Sequence, residues 1–310
     1  MRRYAVIEAP SVLGHMPNHL GVARMPEALL DAGLADRLSA HRAGRVDSPP
    51  WRPDRDPETL IMNPQEIREY SSSLADAVVS VLDQDQFPVV LGGDCSILLG
   101  TTLAMKRRGR YGLLYIDGHP DFYQPERNPI LGAASASDLA FATGRGPDVV
   151  TDIENLGPLV RDEDVAVYGY RDGVAQVRNR SQPLPDDLLA IDRDQVRRLG
   201  VANAMHEAVA HLTRDGGPDG FWIHVDADVL DESIMRAVDD PRADGLSWDE
   251  LRLALRIAAS SPKAVGFQTT IYNPDMDGDG AAGRGLACTL GEALAAAAEE
   301  LTSSEEVATP

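Results

Sequence analysis

Short apolar runs alternate with longer segments in which apolar residues recur every three to four positions along the 310-residue chain. Strand-like runs fall at residues 4–7, 87–91, 112–116, 165–168, 220–225 and 264–267. Several are apolar on both faces, as in parallel strands covered by helices on each side. Helical patterns lie between them. One covers 63–82 and opens Asn63-Pro64-Gln65-Glu66, read as an N-cap followed by Pro at the first helical position. Others cover 96–108 and 195–214. A fourth opens Ser247-Trp248-Asp249-Glu250, a capping box, and continues to about Ser260. The alternation predicts an α/β fold, a three-layer αβα sandwich around a doubly wound parallel sheet. Residues 41–57 and 122–158 are expected to be irregular, the second directly after a strand, where α/β proteins place their sites. No linker divides the chain, so residues 1–310 are expected to form one domain, with an acidic tail over 298–310 that frays.

Charge narrows the partners. Asp and Glu number 49 against 29 Lys and Arg, a formal net charge of −20. That balance argues against nucleic acid and against anionic membranes. The two cysteines, Cys95 and Cys288, make no disulfide framework. The apolar run after Met1 is too short for a signal peptide, and no stretch approaches the ~20 apolar residues of a membrane span. A cytoplasmic protein acting on a small molecule is the expectation.

Three polar clusters follow apolar strands. They are Gly92-Gly93-Asp94-Cys95-Ser96, Asp117-Gly118-His119-Pro120-Asp121 and Asp226-Ala227-Asp228-Val229-Leu230-Asp231. Residues two apart in an extended chain point the same way, so Asp117, His119 and Asp121 are expected on one edge, and Asp226 with Asp228 likewise. The strands ending near Leu91, Ile116 and Val225 are therefore expected side by side. Carboxylates converging at neighbouring strand ends repel one another unless a cation lies between them. Mixed carboxylate and imidazole donors suit Mn²⁺, Zn²⁺ or Fe²⁺ better than Ca²⁺. So many ligands point to two metals bridged by carboxylates.

These motifs resemble those of the ureohydrolases, the arginase and agmatinase superfamily, whose pattern is Gly-Gly-Asp-His-Ser, Asp-Ala-His-x-Asp and Asp-x-Asp-x-x-Asp. Order and spacing agree over roughly residues 5–295, with further similarity at Gly169-Tyr170-Arg171-Asp172 and Tyr272-Asn273-Pro274. The resemblance implies two Mn²⁺ per chain, a trimer or hexamer, and hydrolysis of a guanidine or related C–N bond by a metal-bridging hydroxide. Carried over by position, Cys95, Asp117, Asp121 and Asp226 would hold one metal, and Asp117, His119, Asp226 and Asp228 the other. Asp121 would orient the hydroxide and pass a proton to the leaving amine, with His119 beside it in the catalytic set.

The departures bear on substrate and metal. Cys95 stands where the family has His, and a thiolate favours Zn²⁺ or Fe²⁺ over Mn²⁺, so the first site is expected to be the weaker. Ile271 stands where the family has the Glu that grips a guanidinium, and an alkyl group cannot pair with that cation. Ser135 falls nearest the family's flexible-loop His. Tyr123 and Val174 replace an Asn and an Asp that hold the amino-acid end of arginine. Asp94-Cys95-Ser96, residues 115–122 and residues 222–230 are similar to hydroxyarginine hydrolases, which points to a modified guanidine. Two other readings compete: an amide- or formimino-type or deacetylase-like hydrolase on the same fold, and a non-catalytic relative with a degenerate metal site.

Overall fold

A computed structural model describes residues 2–127 and 132–308. Residues 128–131, inside the segment expected to be irregular, and 309–310, at the end of the acidic tail, lie outside the described residues.

Eight parallel strands form one sheet: β1 (Tyr4–Ala9), β2 (His41–Arg45), β3 (Phe87–Gly92), β4 (Tyr111–Ile116), β5 (Val165–Tyr168), β6 (Leu189–Ile191), β7 (Gly220–Asp226) and β8 (Ala264–Thr270). Their order is β2-β1-β3-β8-β7-β4-β5-β6. Strand side chains alternate between two cores. Leu114 and Ile116 of β4 and Phe221, Ile223 and Val225 of β7 pack with the helices Val201–Leu212, Trp248–Ala259 and Ala281–Ala308. Leu113, Tyr115 and Trp222 face the helices Pro64–Leu82 and Leu98–Arg108 on the other side. The central strands are buried along both faces, which is why they read as unbroken apolar runs.

Where sequence and structure differ, backbone effects explain it. β2 lies in the Arg-, Asp- and Pro-rich stretch expected as loop, and all five of its residues are exposed. It is an edge strand held to β1 by main-chain pairing and carries no apolar signal. β6 is too short for its pattern to register. The helix expected over 195–214 is two, Arg193–Leu199 and Val201–Leu212. It breaks at Gly200, whose φ of +79° a helix cannot continue through. Asn63 does not cap its helix. Its side chain instead donates to the Leu13 carbonyl and accepts from the Arg52 amide, tying two loops together. The capping box at Ser247 and Glu250 forms as expected. The tail expected to fray is helical through Ala308. The expected adjacency of β3, β4 and β7 holds only for β4 with β7, because β8 lies between β3 and β7. Among the described residues no helix is long and apolar enough to cross a membrane.

One close approach positions the site. A Cβ on Gly93 would lie 1.8 Å from the Ser11 carbonyl oxygen, so only glycine lets the turn after β3 press against the chain leaving β1. Gly93→Ala is expected to lower unfolding free energy by roughly 1–3 kcal/mol in urea titrations. Gly278→Ala, with open space around it, should stay within about 0.5 kcal/mol.

Candidate metal centre and active site

The same local device ends three strands. Asp94 accepts from the Ser96 amide at 2.8 Å, Asp117 from the His119 amide at 2.7 Å, and Asp226 from the Asp228 amide at 2.8 Å. Each aspartate thus closes a turn through one oxygen, a bond short polar side chains make readily. The ligand pairs are presented by these turns, not by the extended strand the spacing suggested. After Asp117 and Asp226 the chain leaves the sheet, and Asp121 adopts φ of +40°. Asp94 uses its other oxygen to accept from Ser11 and Gly14, which makes it a support for Cys95.

Two groups of donor atoms gather at this rim, each within 4.8 Å of one another: Cys95, Asp117, His224 and Asp226, and Asp117, His119 and Asp228. Asp117 belongs to both. Cys95 Sγ lies 2.7 Å from Asp226 Oδ2, to which its thiol can donate, and 3.1 Å from Thr270 Oγ1, whose hydroxyl can donate to the sulfur. His119 Nδ1 lies 2.9 Å from Asp228 Oδ2, and Asp228 Oδ1 accepts from the Gly118 amide. Asp121 is not part of either group. Its Oδ2 accepts from the Tyr115 hydroxyl at 3.2 Å, while the same hydroxyl lies 2.9 Å from Asp138. One phenol proton cannot serve both, so one of these carboxyls carries a proton of its own.

A cavity of about 230 Å³ opens over the cluster. Tyr123, Ser135 and Ile271, the expected substrate-side residues, all line it with Cys95, His119 and Asp121. Ile271 follows β8 directly with φ of +73°, a rare conformation for a β-branched residue, and its amide donates to the Gly93 carbonyl. Val174, by contrast, is exposed.

The spacing of motifs gave no sign of several neighbours. His224 sits on β7 two residues before Asp226, within the strand-like run 220–225. Asp239 and Asp240 lie outside the motifs in sequence but not in space. Asp239 bridges His15 Nε2 at 2.6 Å and His19 Nδ1 at 3.2 Å, and Asp240 approaches His119 Nε2 at 3.3 Å. Arg171 donates to the carbonyls of Asp228, Leu230 and Arg242, fastening the chain that carries Asp239 and Asp240 over the rim.

The electrostatics are those of a cluster short of positive charge. Burial, and then Asp226 and Asp228, push Asp117 well above the usual carboxylate range. Burial and Asp228 do the same to Asp226. Burial pushes Asp121 up to about 8. Burial followed by Asp226 raises Cys95. Burial opposes charging of His119, but Asp228 and Asp240 outweigh it and raise its pKa. Asp117 Oδ2 has no hydrogen-bond partner among the described atoms. A buried carboxylate oxygen without a donor, among repelling carboxylates, fits a divalent cation.

The metal-free folded chain therefore keeps protons on Asp117, Asp121 and Asp226 that the unfolded chain releases above about pH 4. Unfolding then releases protons, so stability falls as pH rises from about 4 through 8. In EDTA the thermal midpoint should drop between pH 5 and pH 8. Mn²⁺ should restore it at pH 8 with proton release, measured by calorimetry in buffers of different ionisation enthalpy.

Comparison with known proteins identifies the family. The model of the arginase family matches residues 3–296. The arginase of Bacillus caldovelox is 28% identical over 288 residues, covering 89% of this chain and 93% of the relative. The solved structure of arginase from that organism superposes with a TM-score of 0.83 at 26% identity, over 95% of this chain and 98% of that one. Formimidoylglutamase from Bacillus subtilis shares the fold, with a TM-score of 0.72 at 19% identity over 95% of this chain and 86% of its own. The chain belongs to the arginase family and is a hydrolase of the ureohydrolase type, acting on C–N bonds of linear amidines.

Proposed function

We propose that this protein is a binuclear-metal hydrolase that cleaves a modified guanidine, an N-hydroxylated one in first place, to release urea or a urea derivative. The observation that carries the reading is the pair of donor groups sharing Asp117 beneath one cavity, with Asp117 Oδ2 unpartnered. Cys95, Asp117 and Asp226 would hold one divalent cation, and Asp117, His119 and Asp228, with Asp226, the other. Mn²⁺ is the family's metal, and the Cys95 thiolate favours Zn²⁺ or Fe²⁺ at its own site. When bound, such a pair supplies an ionised water near neutral pH and a Lewis acid for the substrate.

The chain's own groups supply the rest. Asp121, whose carboxyl burial pushes up in the metal-free chain, can hold a proton and hand it to the departing amine. Tyr115 orients that carboxyl. Asp172, Asp239 and Asp240 line the cavity with Arg242 as its single arginine, a balance that favours a cationic substrate. Asp172 Oδ2 is buried without a partner and suits an ammonium group. Ile271 places an alkyl group where a guanidinium would need a carboxylate. An N-hydroxyguanidine is less basic than a guanidine and loses less there. The same residue favours the second reading, hydrolysis of a formimino or amide group. Assembly as a trimer or hexamer belongs to the proposal and is read by sedimentation velocity.

Product analysis separates the readings: urea or N-hydroxyurea supports the first, formamide or acetate the second. Asp228→Ala should lower metal content and abolish turnover, while Asp249→Ala, exposed on the helix Trp248–Ala259, should change neither. Ile271→Glu should raise kcat/KM for arginine relative to N-hydroxyarginine by about ten- to a hundredfold, the range of a charge-assisted hydrogen bond. An unchanged ratio would remove Ile271 from substrate contact.

A further inference from the structure

A row of buried groups beneath the metal centre fixes the position of one proton. The indole N–H of Trp222 can only donate. It lies 3.0 Å from the Gln268 side chain, and the atom it meets is therefore Oε1. The Thr101 hydroxyl meets the same oxygen. The Gln268 amide nitrogen then faces His224 Nδ1 at 2.8 Å. An amide nitrogen only donates, so Nδ1 accepts and carries no proton. The proton of a neutral imidazole must then be on Nε2. That atom lies 3.7 Å from Asp117 Oδ2, and neither has another partner among the described atoms. The ring is fully buried and stacked on Tyr115, with centroids 4.4 Å apart and planes at 14°, which holds its orientation.

We infer that His224 is a positioning residue and not a metal ligand: Trp222 and Gln268 set its tautomer, and its Nε2–H is aimed at Asp117 Oδ2. The inference rests on the reading of Asp117 as a ligand shared by two metals. To ligate through Nε2, His224 would need its proton on Nδ1, against the Gln268 amide hydrogens. Turning that amide over would leave the Trp222 N–H against an NH₂ group. The separation from Asp117 is longer than a formed hydrogen bond, so the N–H faces that oxygen without bonding to it in the metal-free chain. The donor then selects which lone pair of Asp117 remains for a cation. A metal held nearest Cys95 would then take sulfur and oxygen ligands from these residues and no imidazole, unlike one held at His119.

The test is the nitrogen-15 spectrum of protein labelled at histidine, with His224 assigned through its contact to the Tyr115 ring. The metal-free protein is expected to show Nδ1 unprotonated and Nε2 protonated, with the same pattern after loading with diamagnetic Zn²⁺. A protonated Nδ1, or an Nε2 resonance that moves to a metal-bound position with Zn²⁺, overturns the inference. In the Co²⁺-loaded protein, His224→Asn retains a donor and should leave stoichiometry and visible bands unchanged. His224→Leu should weaken metal binding about 10- to 100-fold at unchanged stoichiometry. Loss of one metal per chain in His224→Asn would make His224 a ligand. If the wild-type protein binds neither Zn²⁺ nor Co²⁺, the metal reading falls and the positioning role with it, while the metal-free spectrum still reports the tautomer by itself.

Discussion

Repulsion among buried carboxylates at one rim of the sheet is the constraint on which the rest of the structure depends. Asp117, Asp226 and Asp228 are all nearly inaccessible to solvent, where water cannot screen them. Hydrogen bonding inside the turns occupies one oxygen of each. It does not neutralise them. The chain meets the problem in part with protons, held on carboxyls whose affinity for them is raised, and in part with His119, which pairs with Asp228. On the proposed reading, cations at the cluster would displace those protons, which would couple metal loading, proton release and stability in one equilibrium.

Holding such a cluster together falls to backbone features some distance from it. Parallel pairing of β4 with β7 sets Ile116 opposite Val225, so the two turns that follow emerge side by side. β8, inserted between β3 and β7, brings Thr270 to the Cys95 thiol and Ile271 to the cavity. Gly93 allows the third turn to approach β1. Arg171 fastens the far wall through the main-chain carbonyls of Asp228, Leu230 and Arg242. The site is thereby built on strand ends and rigid turns, and its specificity lies in the segments laid over them.

Those segments give the cavity its own lining. It carries Ile271 and Cys95, with a His15–Asp239–His19 arrangement on one wall. The acidic residues outnumber the single Arg242 there. Affinity for a cationic substrate would therefore come from the surroundings of the reacting group and not from a direct carboxylate clamp.

Much of this was legible in the residues. Unbroken apolar runs gave six of the eight strands, because a strand buried on both faces must be apolar throughout. Asp117, His119, Asp226 and Asp228 were legible because ligands that follow a strand within two or three residues stay at its end whatever the rest of the chain does. β2 and β6 were not: one is held by main-chain pairing with Ala43 as its one apolar side chain, and the other is three residues long. Nor were His15, His224, Asp239 and Asp240, whose partners lie far away in sequence. His224 in particular read as part of an apolar strand, and only the packing of Trp222, Gln268 and Tyr115 around it decides where its proton sits. Local sequence determines which chemistry a strand end can offer. Which groups face one another across the rim is set by strand order and helix packing, since those contacts join residues a hundred or more positions apart that no local pattern connects.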